Sequence, residues 1–179
     1  VLENSLGGDS SSNGRAEQAV RDVEGMIRTT KDAVESGYRV GLGELQNLFP
    51  WLVMHSAEII NRCRAGIDGK TPYELIKGKS SHIKLIPFGE TVHFQILPTG
   101  GAKRNKLDSS FVKGIYVGID PFTNHQMCLN QDGAFQTRSI RRLPKKDRYE
   151  TEFAKSVIGL PNDPKAKYDP KSELKIPPR

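Results

Sequence analysis

The chain has 179 residues, and its 36% hydrophobic and 7% aromatic content is lean for one ordinary domain or two small ones. We therefore expect part of it to lie outside any packed core. A net charge of +6 with a pI near 9.3 favours a polyanionic partner. Residues 1–37 hold four Lys and Arg against seven Asp and Glu, so the basic excess lies downstream of them.

Cysteine usage and hydropathy exclude several other classes. Cys63 and Cys128 have no paired spacing, which disfavours a disulfide framework or a thiolate zinc site and favours a reducing compartment. No apolar run is long enough to span a membrane and no secretory signal opens the chain, so we expect no membrane partner. The start at Val1, without Met, is typical of a fragment or a processed piece.

A long amphipathic helix is predicted after a polar loop over residues 1–12. Asn13 is the natural N-cap and Gly37 the natural stop, so the helix is expected from about Gly14 to Ser36. Glu17 falls near its start, where an acid complements the helix dipole. The apolar residues have the three-and-four spacing of one helix face: Ala16, Ala19, Val20, Val23, Ile27 and Val34.

Two further helices are predicted downstream. Residues 45–64 carry Pro50 in the first turn and an apolar surface that can pack on the first helix. A short third helix begins at Thr71, because an N-cap Thr, Pro72 and then Glu74 form a capping box. Gly78 ends this helix, and the pattern favours a structural role for Glu74 over a catalytic one.

From residue 80 the apolar pattern changes to period two, which is typical of strands. Four strands are predicted, around residues 92–96, 115–117, 125–129 and 134–138. Asp132-Gly133 predicts a tight hairpin turn between the last two. Four short strands, with Gly114 and Gly118 permitting sharp bends, predict a small antiparallel barrel.

Two basic clusters accompany the barrel. The first, Lys103, Arg104 and Lys106, lies in a loop between the first strands, and the second comprises Arg138, Arg141, Arg142, Lys145, Lys146 and Arg148. Each cluster is either a solvated segment or a surface for phosphates, and both interpretations stay open. The Pro-rich, charged stretch from Thr151 to Arg179 predicts a disordered linker or tail.

Several of these motifs resemble the integrase of copia-type retrotransposons. The run Asn13-Gly14-Arg15-Ala16-Glu17, with Arg21 four residues after the Glu, resembles the last catalytic block of its core. The end of the second helix, Ile59-Ile60-Asn61-Arg62, is similar to the run that precedes a short linker, and Gly69-Lys70-Thr71-Pro72-Tyr73-Glu74 resembles the hallmark segment after the core. The frame from Phe88-Gly89 to Lys113-Gly114-Ile115-Tyr116-Val117-Gly118 resembles the SH3-like domain that follows. Glu90 departs from the family, which often has cysteine there, and so does a long loop with Gly100-Gly101.

The resemblance implies an α+β chain in which the C-terminal helices of a truncated ribonuclease-H-like core precede a small antiparallel SH3-like barrel and a disordered tail. The implied boundaries are 1–66 for the helical part, 67–84 for a linker helix, 85–146 for the barrel and 147–179 for the disordered tail. In the truncated core the first helices lack their covering sheet, so we expect Val20, Val23 and Ile27 to be exposed. The barrel is then the more independently stable part.

The resemblance also implies a role in DNA integration. Glu17 becomes the third carboxylate of a D,D,E triad that binds Mg²⁺ or Mn²⁺ in the complete enzyme, and Arg21 and Arg28 join the two basic clusters as DNA contacts. One carboxylate cannot form a two-metal site, so this chain alone is expected to bind no metal and to be inactive. The implied partners are element ends and target DNA, with homo-oligomers of the intact enzyme in the nucleus after a cytoplasmic particle stage. Two alternatives remain: a non-enzymatic SH3-like module for nucleic acid or protein, and a decayed transposon fragment without function.

Overall fold

A computed structural model describes residues 14–96 and 110–166, apart from the Arg15 side chain. Its helices are α1 (Gly14–Tyr38), α2 (Phe49–Cys63), α3 (Pro72–Lys77) and α4 (Thr151–Ser156), and its strands are β1 (Thr91–Gln95), β2 (Phe111–Ile119), β3 (Gln126–Asn130), β4 (Gly133–Thr137) and β5 (Ile140–Arg142). Short 3₁₀ turns span Leu42–Glu44, Gln46–Leu48 and Lys145–Asp147. The predicted α+β class is confirmed. Asn13, the basic cluster Lys103, Arg104 and Lys106, and residues 167–179 lie outside the described part of the chain.

The first helix runs further than predicted. It continues through Gly37 to Tyr38, and the chain turns at Arg39, whose φ is 58°. The predicted stop at Gly37 is wrong because this glycine serves packing: a Cβ there would lie 2.7 Å from Cδ1 of Tyr149. The Tyr38 hydroxyl in turn donates a hydrogen bond to the Gly89 carbonyl at 2.5 Å, which ties the end of α1 to the sheet.

Local signals at the next two helices are confirmed. Pro50 lies in the first turn of α2, where a missing N–H costs nothing. At α3 the Glu74 amide donates to Thr71 Oγ1 at 3.2 Å, and the Thr71 amide donates to Glu74 Oε2 at 2.8 Å. Gly78 ends this helix in the left-handed conformation, with φ 68°. Glu74 therefore has the structural role that the sequence favours.

The sheet is fully antiparallel, with strand order β4-β3-β2-β1-β5. Its fifth strand, β5, was not predicted. The predicted hairpin between β3 and β4 is present, although Asn130 pairs with Gly133, so the turn consists of residues 131 and 132. One interior cluster receives side chains from all five strands, an arrangement compatible with a small barrel: Val92, Phe94, Tyr116 and Cys128, with Phe135 and Ile140 packed against them.

A second core joins the helices to the outer face of this sheet. It contains Ile115, Val117 and Leu129 of the strands together with Val34 of α1 and Leu52 of α2. The helices and the sheet therefore share one core, in which α1 packs on α2 and α2 packs on β2. The first half of α1 extends beyond this core, and Val20 on it is 57% exposed. Val23 and Ile27 are half-buried, so the expected exposure is confirmed for Val20 only.

Residues 147–166 are folded, so the predicted disorder of this part of the tail is wrong. Ala154 and Val157 are buried in the shared core. The Trp51 indole donates to the Gly159 carbonyl at 2.8 Å, and the Ile158 amide donates to the Asn130 carbonyl at 3.0 Å. Composition was misleading here because a few apolar anchors among prolines and charges are enough to fix a short segment on an existing core.

Candidate nucleic-acid interface

One open groove beside the edge strand β5 brings four basic side chains together. Its volume is about 500 Å³. The lining consists of Lys84, Arg138, Arg141 and Arg142 with Ile86, Phe111, Gln126, Ser139 and Ile140, and we name it the basic groove. None of these described lining residues is acidic. An anion in the groove therefore meets cations and apolar surface, with no carboxylate among the described lining residues.

Strand geometry gives the two consecutive arginines of β5 different surroundings. His93 of β1 pairs with Arg141, and Val92 pairs with Arg142, so the two arginines lie on opposite faces of the sheet. The Arg141 guanidinium lies 4.1 Å from the centroid of the Phe111 ring. This cation–π contact holds the guanidinium flat on the aromatic face while the arginine stays exposed. Arg141 is therefore an ordered cation available to a ligand.

Arg142 is engaged by a buried acid. Its Nε and Nη2 atoms donate to Glu90 Oε1 and Oε2, both at 2.7 Å, and Arg148 Nε lies 3.2 Å from Glu90 Oε1. Glu90 is fully buried, and its hydrogen bonds raise the pKa of Arg142 above the ordinary value. The residue that departs from the family pattern thus anchors two arginines. Arg142 lines the groove, but most of its charge is already neutralised.

The other predicted basic residues divide into three groups. Arg138 is exposed in the groove and donates from Nε to His125 Nε2 at 3.0 Å. Lys145 and Lys146 are exposed on the 3₁₀ turn after β5, form no ion pair with a described residue and do not line the groove. The third group, Lys103, Arg104 and Lys106, lies in the part of the chain that the structure does not describe.

Lys84 is the groove cation that sequence reasoning missed. It lies in the irregular segment before β1, far in sequence from the arginine cluster. The pairing of β1 with β5 brings the two regions together, and β5 was not predicted. The sequence does contain a basic run of Lys77, Lys79 and Lys84. Its relation to the arginine cluster becomes visible only when β5 is known to pair with β1.

The predicted catalytic residue lies on the exposed first half of α1. Glu17 and Arg21 form an ion pair at 3.7 Å, with their side chains 53% and 70% exposed. Arg28 is also exposed, and none of these three residues lines the basic groove. The surroundings of Glu17 therefore do not test its assignment to a triad, which stays a prediction.

The described residues do not fit a two-metal site. Glu17 and Glu24 line the same shallow surface of α1 but are two helical turns apart, about 10 Å along the axis. Magnesium holds its oxygen ligands at about 2.1 Å, so the two carboxylates cannot share an ion in this arrangement. Within residues 14–96 and 110–166, no group of three or more His, Cys, Asp or Glu side chains is placed to hold a metal.

A separate apolar pocket of about 290 Å³ lies between α2, the sheet and the segment around Pro164. His55 lines it, packed against Phe88 with ring centroids 5.1 Å apart, and its Nδ1 atom has no hydrogen-bond partner. Burial lowers the pKa of His55 to about 4, so this imidazole is neutral at physiological pH. Its role in the described structure is to fill the boundary between α2 and the sheet.

Comparison with known proteins found no relative of this chain. No protein-family model, no curated protein and no solved structure matches the chain. The resemblance to copia-type integrases consequently rests on the motifs alone and stays a prediction. Among the helices of the described residues, none combines the length and the apolar character needed to cross a bilayer.

Proposed function

We propose that this chain is the C-terminal part of a copia-type integrase and binds DNA through the basic groove. In this proposal α1 and α2 are the end of a ribonuclease-H-like core, and β1 to β5 form the SH3-like domain. The observation that carries it is the convergence of Lys84, Arg138 and Arg141 in a groove whose described lining has no acid. These cations come from separate parts of the sequence, and folding places them together.

The groove is suited to the phosphate backbone more than to base sequence. Guanidinium groups match phosphate oxygens with paired donors, and Arg141 is ordered by Phe111 before any ligand arrives. Backbone contacts position a protein on DNA without selecting a sequence, which suits an enzyme that accepts many targets. Three phosphate contacts predict a slope of about −2.7 for log Kobs against log salt on duplex DNA.

The remaining parts of the proposal follow from the resemblance. Glu17 completes the triad together with two Asp residues that this sequence does not supply, and Mg²⁺ or Mn²⁺ belongs to the complete enzyme. Arg21 and Arg28 contact DNA from α1. The intact enzyme is a homo-oligomer that acts in the nucleus.

A salt series with the full chain tests the DNA proposal. Binding to a labelled duplex of about 20 base pairs is measured by fluorescence anisotropy for the wild type and for the double variant R138Q/R141Q, with Arg142 kept because it holds Glu90. Removing two phosphate contacts lowers the salt slope by about 1.8. The matched control K70Q/K165Q removes the same charge at exposed lysines outside the groove and outside any ion pair with a described residue. Equal weakening in both variants means that net charge, and not the groove, drives binding.

A second candidate, a nucleic-acid module with no part in integration, is favoured by the shared core of helices and sheet. In such a module the first half of α1 needs no partner, whereas in a core fragment it has lost one. The integrase proposal therefore predicts concentration-dependent self-association through the exposed Val20, abolished by V20E. Analytical ultracentrifugation decides between them, because the module is a monomer with or without this substitution.

A further inference from the structure

We propose that His125 is a positioning residue for Arg138: the neutral imidazole holds the guanidinium, and protonation releases it and strengthens phosphate binding in the basic groove. This inference rests on the proposed DNA-binding function and adds its regulation by pH. The supporting observation is a chain of side-chain hydrogen bonds that leads from the groove across β3 and β4 to the end of β2.

The hydrogen bonds fix the protonation state of His125 from both sides. Arg138 Nε always carries hydrogen, so at 3.0 Å it donates and His125 Nε2 must accept. At the other end Gln136 Nε2 donates to Asp120 Oδ2 at 2.7 Å, which turns Gln136 Oε1 toward His125 Nδ1, 3.3 Å away. The Nδ1 atom therefore carries the proton. The described network is consistent with a neutral ring in this single tautomer.

Among the described residues, the charged groups in the hydrogen-bond network of the ring are Arg138 on one side and Asp120, through Gln136, on the other. Asp120 is itself fixed, because its Oδ1 accepts the amides of Phe122 at 2.8 Å and Thr123 at 3.1 Å. The His125 amide donates to Thr123 Oγ1 at 3.3 Å, which anchors the His125 backbone just before β3. The exposed Arg138 side chain is bound to this network through His125, so it can leave without breaking the bonds of Asp120.

Protonation of His125 turns its attractive contact with Arg138 into a repulsive one. An imidazolium donates from both nitrogens, so Nε2–H faces Arg138 Nε–H and the hydrogen bond is lost. Gln136 can still accept from Nδ1, and the ring stays in place. A second positive group then lies beside Arg138, and the guanidinium has all its donors free for phosphate. Histidines ordinarily change charge between about pH 5 and 8, so pH 8 and pH 6 are the two conditions to compare.

Two measurements test the inference on the full chain. The first needs no DNA: ¹H–¹⁵N spectra of the imidazoles at pH 8 are expected to show His125 in the Nδ1–H tautomer, with the Arg138 Nε–H signal lost from its hydrogen-bonded position as pH falls to 6. The second is duplex binding at pH 8 and 6 at constant ionic strength. The wild type is expected to have a several-fold lower Kd at pH 6 than at pH 8.

The informative variant is H125Q, whose amide oxygen still accepts from Arg138 but does not titrate. We expect its Kd to change less than about twofold over the same range. The control is H93Q, which removes an exposed histidine whose cross-strand neighbours are Lys113 and Arg141 and should keep the wild-type pH dependence. Trp51 fluorescence at each pH verifies that the chain stays folded.

Each outcome bears on one proposal. An Nε2–H tautomer, or a pH dependence that H125Q leaves intact or H93Q removes, overturns the inference while DNA binding in the groove stands. If the wild type binds no duplex at either pH, the proposed function fails and this inference fails with it. The expected tautomer together with a flat H125Q profile supports both.

Discussion

Replacing Arg142 by Ala should cost much more stability than replacing its neighbour Arg141. Arg142 makes two hydrogen bonds of 2.7 Å to Glu90, whose side chain is only 1% exposed. Hydrogen bonds to charged groups contribute about 1.5–3 kcal/mol each, and breaking a buried pair costs about 3–5 kcal/mol. Because Arg148 remains near Glu90 and Arg142 is partly exposed, we expect the low end, about 3 kcal/mol. Arg141→Ala loses an exposed cation–π contact, worth about 0.5–1 kcal/mol.

Urea unfolding followed by Trp51 fluorescence measures this difference, since the single tryptophan is only 4% exposed and lies in the shared core. The double variant R142A/E90Q should be more stable than R142A, because it removes the buried charge that has lost its bidentate partner. A free energy of unfolding for R142A within 1 kcal/mol of that for R141A would refute the reasoning, by showing that water reaches Glu90 and replaces the arginine.

Three further predictions concern stability. Gly37→Ala should cost about 1–3 kcal/mol because its Cβ meets the Tyr149 ring, whereas Gly25→Ala, with nothing within 4 Å, should gain about 0.5–1 kcal/mol; urea midpoints compare them. Burial holds the folded-state pKa of His55 at about 4, below the ordinary 6.5. The stability that the neutral imidazole contributes is therefore complete above pH 6.5 and is lost as the pH falls toward 4. Over this range the free energy of unfolding of the wild type should fall by about 3 kcal/mol more than that of His55→Leu, as measured by urea melts at each pH. Removing residues 151–179 exposes the core around Val157 and frees the Trp51 indole, which predicts a loss of about 3 kcal/mol and red-shifted fluorescence; an unchanged spectrum contradicts the packing of α4.

Structural features that depend on a few neighbouring residues were predicted correctly. The capping box at Thr71 and Glu74 and the proline in the first turn of α2 require no knowledge of the rest of the chain. Gly37 shows where this reasoning stops. A glycine near the end of a helical pattern indicates a stop, but here the reason for glycine is the ring of Tyr149, far away in sequence. Long-range packing of this kind leaves no local signal.

The same limit explains why the folded part of the tail and the core shared by helices and sheet were not predicted. Residues 147–166 are Pro-rich and charged, and their stability comes from contacts with Trp51 and Asn130, which composition does not show. The helical part and the barrel were predicted as separate units because their apolar patterns differ. The pattern identifies which face of a strand or helix is apolar, but it does not identify which two faces pack together.

The basic site was predicted as a cluster, whereas the structure divides its residues by the geometry of one short strand. Arg141 and Arg142 are equivalent in a count of charge, yet alternation on β5 exposes the first and pairs the second with Glu90. Since β5 has three residues and lies at the sheet edge, the ion pair at Arg142 is a main restraint on its position. The orientation of Arg141 toward the groove therefore depends on its neighbour. Removing all the basic residues together confuses loss of phosphate contacts with loss of the strand that presents them, so DNA-binding variants should leave Arg142 in place.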